Sequence, residues 1–184
     1  GCTIVLKPDS ATPLSALRFA ELAREAGIPD GVINVVVGPG SVVGQRLVEH
    51  PEVAKIAFTG STEVGREVMR GAAGQIKRVT LELGGKSANV IFEDADLERA
   101  AGAAPYAVFD NAGQDCCARS RILVQRSVYD RFLELLVEAT RKVRVGDPAE
   151  EGTEMGPLIS AAHRNSVSSF VDGEPPRVIT HKNL

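Results

Sequence analysis

Val32-Ile33-Asn34-Val35-Val36-Val37-Gly38-Pro39-Gly40-Ser41-Val42-Val43-Gly44 is a β-branched run of strand length that breaks at a Gly-Pro-Gly turn and passes into a short helix reaching about Glu49. β-Branched side chains suit a pleated sheet, and the glycines and proline punctuate it. A strand handed directly to a helix is the repeating step of a parallel sheet, whose neighbouring strands need a crossover to bring the chain back. Toward the N-terminus, Thr3 to Leu6 predicts a first, buried strand. Thr12 follows as N-cap with Pro13 at the first helical position, then a helix turning Leu14, Leu17, Ala20 and Leu22 or Ala23 inward, stopped by Gly27. Ile28-Pro29-Asp30-Gly31 turns the chain back into the run at Val32, completing one βαβα unit.

The cycle repeats downstream. Lys55 to Phe58 predicts a strand, Thr59-Gly60-Ser61 a turn, and Thr62 to about Arg70 a helix capped in box fashion by Ser61 or Thr62 with Glu63 nearby. Arg78 to Leu83 is the next strand. Beyond Gly84-Gly85 come an apolar run from Asn89 to Phe92, an Ala-rich helix from about Leu97 kinked at Pro105, the cysteine segment, and a strand from Ile122 to Gln125. A long amphipathic helix from Val128 to Val143 places Phe132, Leu135, Leu136 and Ala139 on one face. The pattern predicts an α/β fold: a Rossmann-like parallel-sheet cofactor domain over residues 1–84, then the start of an α/β catalytic domain over residues 85–184.

Composition narrows the function. The 184 residues are 43% hydrophobic and 24% charged, which is ordinary for a globular chain. Net charge is −3, and the 21 Lys and Arg are dispersed, so the counterion-releasing footprint of a nucleic-acid binder is missing. No apolar stretch has spanning length. The expected partners are small molecules, with neither nucleic acid nor membrane. Three cysteines, two of them adjacent, fit neither a disulfide framework nor a CxxC metal site, which predicts no metal and a reducing cytoplasm. The N-terminus opens inside a β-branched run without Met, and the end from Gly173 to Leu184 carries a Pro175-Pro176 pair without a recognisable last element. Both ends are expected to be boundaries within a longer protein.

Several residues carry candidate chemistry. Gly38-x-Gly40-x-x-x-Gly44 approximates a dinucleotide fingerprint, one residue longer than G-x-G-x-x-G, and serves equally as a plain strand-to-helix turn. Phe58-Thr59-Gly60-Ser61 is a second strand-to-helix turn, offering backbone N–H groups and two hydroxyls to a phosphate. Lys7 follows the first strand, at the carboxyl end where open α/β sheets bind ligands, and is otherwise a solvated lysine before Pro8. Glu82, between leucines and just before two glycines, is either a general base or a structural charge. Cys116 follows a helix and a Gly-Gln turn, where N–H dipoles can favour a thiolate nucleophile, and is otherwise an inert core cysteine. Cys2 and Cys117 are read as inert core residues, and the scattered His50, His163 and His181 as surface residues.

Leu81-Glu82-Leu83-Gly84-Gly85-Lys86-Ser87 and Phe109-Asp110-Asn111-Ala112-Gly113-Gln114-Asp115-Cys116 resemble the glutamate and cysteine motifs of the aldehyde dehydrogenase superfamily, and the likeness runs without a gap from Lys7 to about Ser160. The resemblance implies oxidation of an aldehyde to a carboxylic acid with NAD or NADP. Cys116 attacks the aldehyde carbon, the thiohemiacetal gives up hydride to the nicotinamide and becomes a thioester, and Glu82 activates the hydrolytic water. It further implies that Gly60 and Ser61 lie against the pyrophosphate, Thr59 near the nicotinamide with Leu83 and Gly84 on the same cofactor side, Lys7 on the adenosine ribose, and Gly40 and Gly44 in the cofactor-side helix. Relatives that pass the thioester to coenzyme A usually lack a glutamate at this position, so Glu82 implies water as acceptor. The family's assembly implies a homo-oligomer, dimer or tetramer, for the complete protein.

The departures are specific. Members that prefer NAD commonly carry a glutamate three residues after the lysine, where this chain has Ser10, so the resemblance implies that NADP is tolerated. Asp115 is similar to a feature of some amino-aldehyde-oxidising members; a carboxylate there attracts a cationic substrate and also opposes thiolate formation at Cys116. The oxyanion-hole asparagine is expected before residue 1, and a second ribose-binding glutamate after residue 184.

Overall fold

A computed structural model describes residues 1–172, which fall into two compact units, one from Gly1 to Gly84 and one beginning at Gly85. The Pro175-Pro176 pair and His181 lie outside the described residues.

In the first unit the order is β1 (Ile4–Leu6), α1 (Leu14–Glu25), β2 (Ile33–Val35), α2 (Gln45–Glu49), β3 (Lys55–Gly60), α3 (Thr62–Ala73) and β4 (Arg78–Leu83). β1 pairs with β2 in parallel from Ile4↔Ile33 to Leu6↔Val35, and β3 with β4 from Lys55↔Arg78 to Gly60↔Leu83. Each pair is a separate two-stranded sheet whose strands are joined through a helix, as parallel pairing demands. The core is built by period-two alternation: Ile56 and Phe58 of β3 and Val79 and Leu81 of β4 pack on Val48 of α2 and on Val68 and Ala72 of α3.

The ends of the helices depart from expectation. Thr12 does not cap α1; Pro13 precedes it in helical conformation without any side-chain cap bond. Asp9 organises the approach instead, its Oδ1 accepting from the Ala11 N–H at 2.8 Å and its carbonyl from the Thr12 N–H at 3.3 Å. Of the face expected to turn inward, Ala23 is buried, whereas Leu14 is 77% and Leu22 47% exposed. β1 is not a buried strand either, Ile4 being 55% exposed. The reason is geometric, since a two-stranded sheet presents too little surface to cover a twelve-residue helix and both faces of its own edge. The helix expected from Ser41 opens as a π-turn over Gly40–Gly44 before α2. At Gly38 a Cβ would stand 2.6 Å from Val43 Cγ2, so this turn requires glycine. Thr59 and Gly60 belong to β3, not to the turn. Ser61 alone caps α3, its Oγ accepting from the Val64 N–H at 3.2 Å, and with valine at that position no reciprocal capping box forms.

In the second unit β5 (Ala88–Ile91) pairs in parallel with β6 (Arg121–Val124), around α4 (Leu97–Ala103), α5 (Tyr106–Phe109), α6 (Tyr129–Arg141) and α7 (Ala161–Asp172). Asp96 caps α4 by accepting from the Arg99 N–H at 3.0 Å, and Pro105 separates α4 from α5, as its missing N–H requires. Ile91, Ala101 and Phe132 form the core, with Leu135 and Leu136 packed against it on the expected face of α6. α7, capped by Ser160 Oγ at 3.1 Å from the His163 N–H, was not anticipated. His50 and His163 are half-buried rather than fully on the surface. Among the described residues no helix is long and apolar enough to cross a membrane.

α1 and α3 end alike. At α1, Ile28 N–H reaches Ala23 O at 3.0 Å and Gly27 N–H reaches Arg24 O at 3.0 Å, with Gly27 at φ +84°. At α3, Lys77 N–H reaches Ala72 O at 3.3 Å and Ile76 N–H reaches Ala73 O at 3.1 Å, with Ile76 at φ +51°. Both are Schellman closures, but the second puts a β-branched residue where glycine belongs. Ile76 is 93% exposed, so its replacement removes no packing. Ile76→Gly is expected to stabilise the chain by about 1 kcal/mol, the left-handed cost less the glycine entropy; an unchanged or lower denaturation midpoint refutes this.

Candidate active site

The first unit gathers its candidate residues at the carboxyl ends of its two strand pairs. Lys7 follows β1 directly; its Cδ lies 3.8 Å from where a Cβ on Gly44 would stand, and its ammonium donates to the Pro8 carbonyl. Ser10 Oγ donates to the Gly38 carbonyl at 3.2 Å. One strand end thus brings Lys7 and Ser10 to the Gly38–Gly44 turn, and Gly40 has open space where a side chain would be. At the other end, pair register sets Thr59 beside Glu82 and Gly60 beside Leu83. Thr59 and Glu82 are exposed, on the face opposite Leu81 and Val79. Leu83 points the other way, into α3, where a Cβ on Gly65 would stand 2.7 Å from Leu83 Cδ2. Ser61 caps α3 at this end, and Gly84 follows β4. A helix N-terminus with spare N–H donors, two hydroxyls and glycines beside it is chemistry suited to a phosphate.

The second unit holds the adjacent pair Cys116 and Cys117. Asn111 (φ 50°, ψ 38°) and Ala112 (φ 56°, ψ 35°) take the left-handed conformation, and Gly113 continues it at φ 78°. Asn111 and Gln114 clasp this turn by donating from each side-chain amide to the other's carbonyl, at 3.3 and 3.1 Å. A second turn follows at once, Ala118 N–H donating to Asp115 O at 3.2 Å, with Cys116 and Cys117 at its corners. Buried Ala118 and the Arg119 N–H bond to Ala107 O at 3.0 Å anchor it to α5. Cys116 is exposed, and its carbonyl lies 3.9 Å from where a Cβ on Gly85 would stand.

Cys2 and Cys117 are exposed rather than core residues. Cys2 precedes β1 instead of lying inside it. Cys117 is held by Asp115: its N–H and its thiol both donate to Asp115 Oδ1, each at 3.1 Å. The carboxylate's acceptance of that thiol, and then its charge, push the Cys117 thiol above its ordinary value. The same thiol, then the Cys117 N–H, hold Asp115 below the usual carboxylate range. This latch was legible only as an Asp two residues before a donor, the spacing of an Asx turn. Asp115 and Cys117 open onto a cleft of about 630 Å³ that Tyr106, Asp110 and Arg119 also line.

The aldehyde dehydrogenase family profile matches residues 1–176. The chain belongs to the aldehyde dehydrogenase family. A betaine aldehyde dehydrogenase of Brucella ovis is 51% identical over 171 residues, 93% of this chain and 35% of that protein. The crystal structure of an NAD-dependent aldehyde dehydrogenase from Sinorhizobium meliloti superposes with a TM-score of 0.91 at 51% identity, over 93% of this chain and 34% of its own. Betaine aldehyde dehydrogenase from Staphylococcus aureus, in complex with NAD+, gives 0.89 at 45% identity over 94% of this chain and 34% of its own. The chain therefore spans about a third of the length of the relatives it matches, and its α/β architecture is the family's.

One wall of the cleft carries a charge cluster of its own. Tyr106 Oη donates to Glu154 Oε1 at 3.0 Å, while Glu154 Oε2 accepts from the Arg144 N–H at 3.0 Å and its Nε–H at 3.4 Å. The Arg144 N–H, then the Tyr106 hydroxyl, hold Glu154 below its ordinary value, and the bond to Glu154 pushes Tyr106 above its own. Glu154 binds fewer protons folded than unfolded near its ordinary value, so its contribution is complete above that value and is lost as pH falls through the lower folded one. Tyr106 keeps its proton longer when folded, so its contribution fades above the ordinary tyrosine range. The stability gap between the parent and Glu154→Gln is expected to be flat between these limits and to close on acidification; a gap that persists at acid pH refutes the cluster.

Proposed function

We propose that this chain carries the nucleophile, the general base and most of the cofactor contacts of an NAD(P)-dependent aldehyde dehydrogenase that oxidises an aldehyde to a carboxylic acid. The observation that carries the reading is Cys116 at the exposed corner of a turn, clamped on one side by a left-handed segment and on the other by a neighbour whose own thiol is engaged. Residues 1–84 are proposed as part of the cofactor domain and residues 85–184 as the first part of the catalytic domain. The resemblance also supports a homodimer or homotetramer for the complete protein, and the chain's cysteine usage a cytoplasmic one.

The donor set of the first unit fits a dinucleotide. Lys7, Ser10, Gly40 and Gly44 are proposed to hold the adenosine side, Gly60 and Ser61 the pyrophosphate, and Thr59, Leu83 and Gly84 the nicotinamide side. NAD(P)+, when bound, supplies the acceptor for two electrons and a proton as hydride. Cys116 Sγ forms a bond to the aldehyde carbon, and the carbonyl oxygen becomes the alkoxide of a thiohemiacetal. Loss of hydride from that carbon re-forms the carbonyl as a thioester on Cys116. Glu82 takes a proton from water as its oxygen adds to the thioester carbon, and the C–S bond breaks to release the acid and return the thiolate. The exposure of Glu82, one residue from the strand end and beside Thr59, supports its role as base.

The relatives' names favour a small aldehyde without choosing one. At 45% identity stand both a betaine aldehyde dehydrogenase and an indole-3-acetaldehyde dehydrogenase. The Asp115 carboxylate next to Cys116 supports a substrate that is cationic or at least not anionic.

Two outcomes test this. In the complete protein, Cys116→Ala is expected to lower aldehyde-dependent reduction of NAD(P) by roughly 10³-fold or more, whereas Glu82→Gln gives one equivalent of reduced nicotinamide and then turnover slowed by about 10²–10⁴. Turnover that survives Cys116→Ala sinks the assignment. Because Ser10 adds no negative charge near a 2′-phosphate, NADP is expected to serve with a loss in kcat/KM below about 100-fold relative to NAD, about 2.7 kcal/mol; a larger loss refutes the role given to Ser10.

A further inference from the structure

A carboxylate beside a nucleophilic thiol is a difficulty, because like charges oppose the thiolate on which nucleophilicity depends. Asp115 occupies the first position of the turn whose next two residues are Cys116 and Cys117, and the three residues place their oxygen and sulfur atoms within 4.8 Å of one another. Charge repulsion therefore acts on both thiols, and the hydrogen bonds decide between them. Cys117 directs both its donors, N–H and S–H, at the single oxygen Oδ1. Ionising Cys117 breaks one of those bonds and sets a thiolate against the carboxylate at contact. Ionising Cys116 leaves both in place. The remaining charged or titratable groups around the turn are Tyr106, Asp110 and Arg119 along the cleft and Lys86, whose ammonium donates to the Gly85 carbonyl at 3.0 Å. Asp110 and Arg119 are opposite in sign and the Lys86 ammonium is turned to the Gly85 carbonyl, so what distinguishes the two thiols toward Asp115 is the hydrogen bond from Cys117.

We propose that Cys117 is a positioning residue: it ties the Asp115 carboxylate to itself, so that of the two adjacent cysteines Cys116 is the one that ionises and reacts. The inference rests on the reading of Cys116 as the nucleophile, and it gives that nucleophile a reason to tolerate an aspartate next to it. The direction of the shifts agrees: the bond to Asp115 raises Cys117, and the Cys117 thiol contributes more than the Cys116 thiol to holding Asp115 low.

The test is alkylation of the intact protein, in a Cys2→Ala background, by iodoacetamide from neutral to alkaline pH, with each cysteine followed separately by mass spectrometry. Cys116 is expected to react at lower pH than Cys117. Cys117→Ala frees the carboxylate toward Cys116, so the alkylation rate of Cys116 at neutral pH falls, by about tenfold. Cys117→Ser retains a side-chain donor and is expected to keep most of the parent rate. Cys117→Ala combined with Asp115→Asn is expected to restore it. All three side chains are exposed, so these changes leave the core untouched. A Cys116 profile that Cys117→Ala does not move, a double variant without rescue, or Cys117 reacting first overturns the proposal. Failure of the catalytic reading shows separately, as turnover surviving Cys116→Ala, and leaves the order of alkylation as it was.

Discussion

Parallel pairing of short strands is the constraint from which the rest of this chain follows. Two parallel neighbours cannot be joined by a hairpin, so every pair carries a crossover, and the strand ends that share a direction also share their exits. Lys7 leaves β1 at the edge where β2 runs into the Gly38 turn, and Glu82 reaches the end of β4 at the edge where β3 runs into Ser61. Residues 75 positions apart in sequence thus belong to equivalent strand ends because of a hydrogen-bonding rule, before any ligand is considered. The chemistry at those ends then differs by residue type: a lysine and a serine at one, a carboxylate and hydroxyls at the other.

The turns divide into those that glycine makes easy and those that other residues make under strain. Gly27 closes α1 and Gly38 lets Val43 approach, each without a steric cost. Ile76, Asn111 and Ala112 take positive φ without that freedom. Ile76 is exposed, far in sequence from any candidate site residue except β4, and its strain belongs to helix closure. Asn111 and Ala112 lie one turn before Cys116 and Cys117, and there the strain is opposed by the paired amide bonds of Asn111 and Gln114. Strain that is over-determined locally, one turn before the proposed nucleophile, fits a segment whose shape matters more than its stability.

Much of this was legible in the sequence, and for identifiable reasons. β4 and the inward face of α6 were readable because period and composition agree there: β-branched and apolar alternation for Arg78 to Leu83, and helical spacing for Phe132, Leu135, Leu136 and Ala139. α1 shows the limit of such reasoning, since an amphipathic pattern says which face is apolar and not what covers it; Leu14 and Leu22 remain exposed. The π-turn at Gly40–Gly44 brings Val43 close to Gly38, where a side chain would clash, and no local propensity encodes that approach. At the candidate site Cys116 and Glu82 are singled out by the resemblance of their two motifs to the family's, since by residue type alone each reads equally as a structural residue. The role of Cys117 was hidden because cysteine is by habit a buried residue, and only the placement of its two donors on one oxygen separates it from its neighbour.

That separation bears on how two identical functional groups, adjacent in sequence, come to have different chemistry. Peptide geometry gives consecutive side chains different directions, but direction alone does not order their acidity when a carboxylate lies within 4.8 Å of both. What orders it is donor allocation. An Asx turn already commits one Asp115 oxygen to the N–H two residues on, and that same residue's side chain is the donor best placed to join it. Cys117 therefore acquires the carboxylate through backbone geometry, while both cysteines stay exposed. On the proposed reading, a turn held by these hydrogen bonds is what distinguishes the two sulfurs.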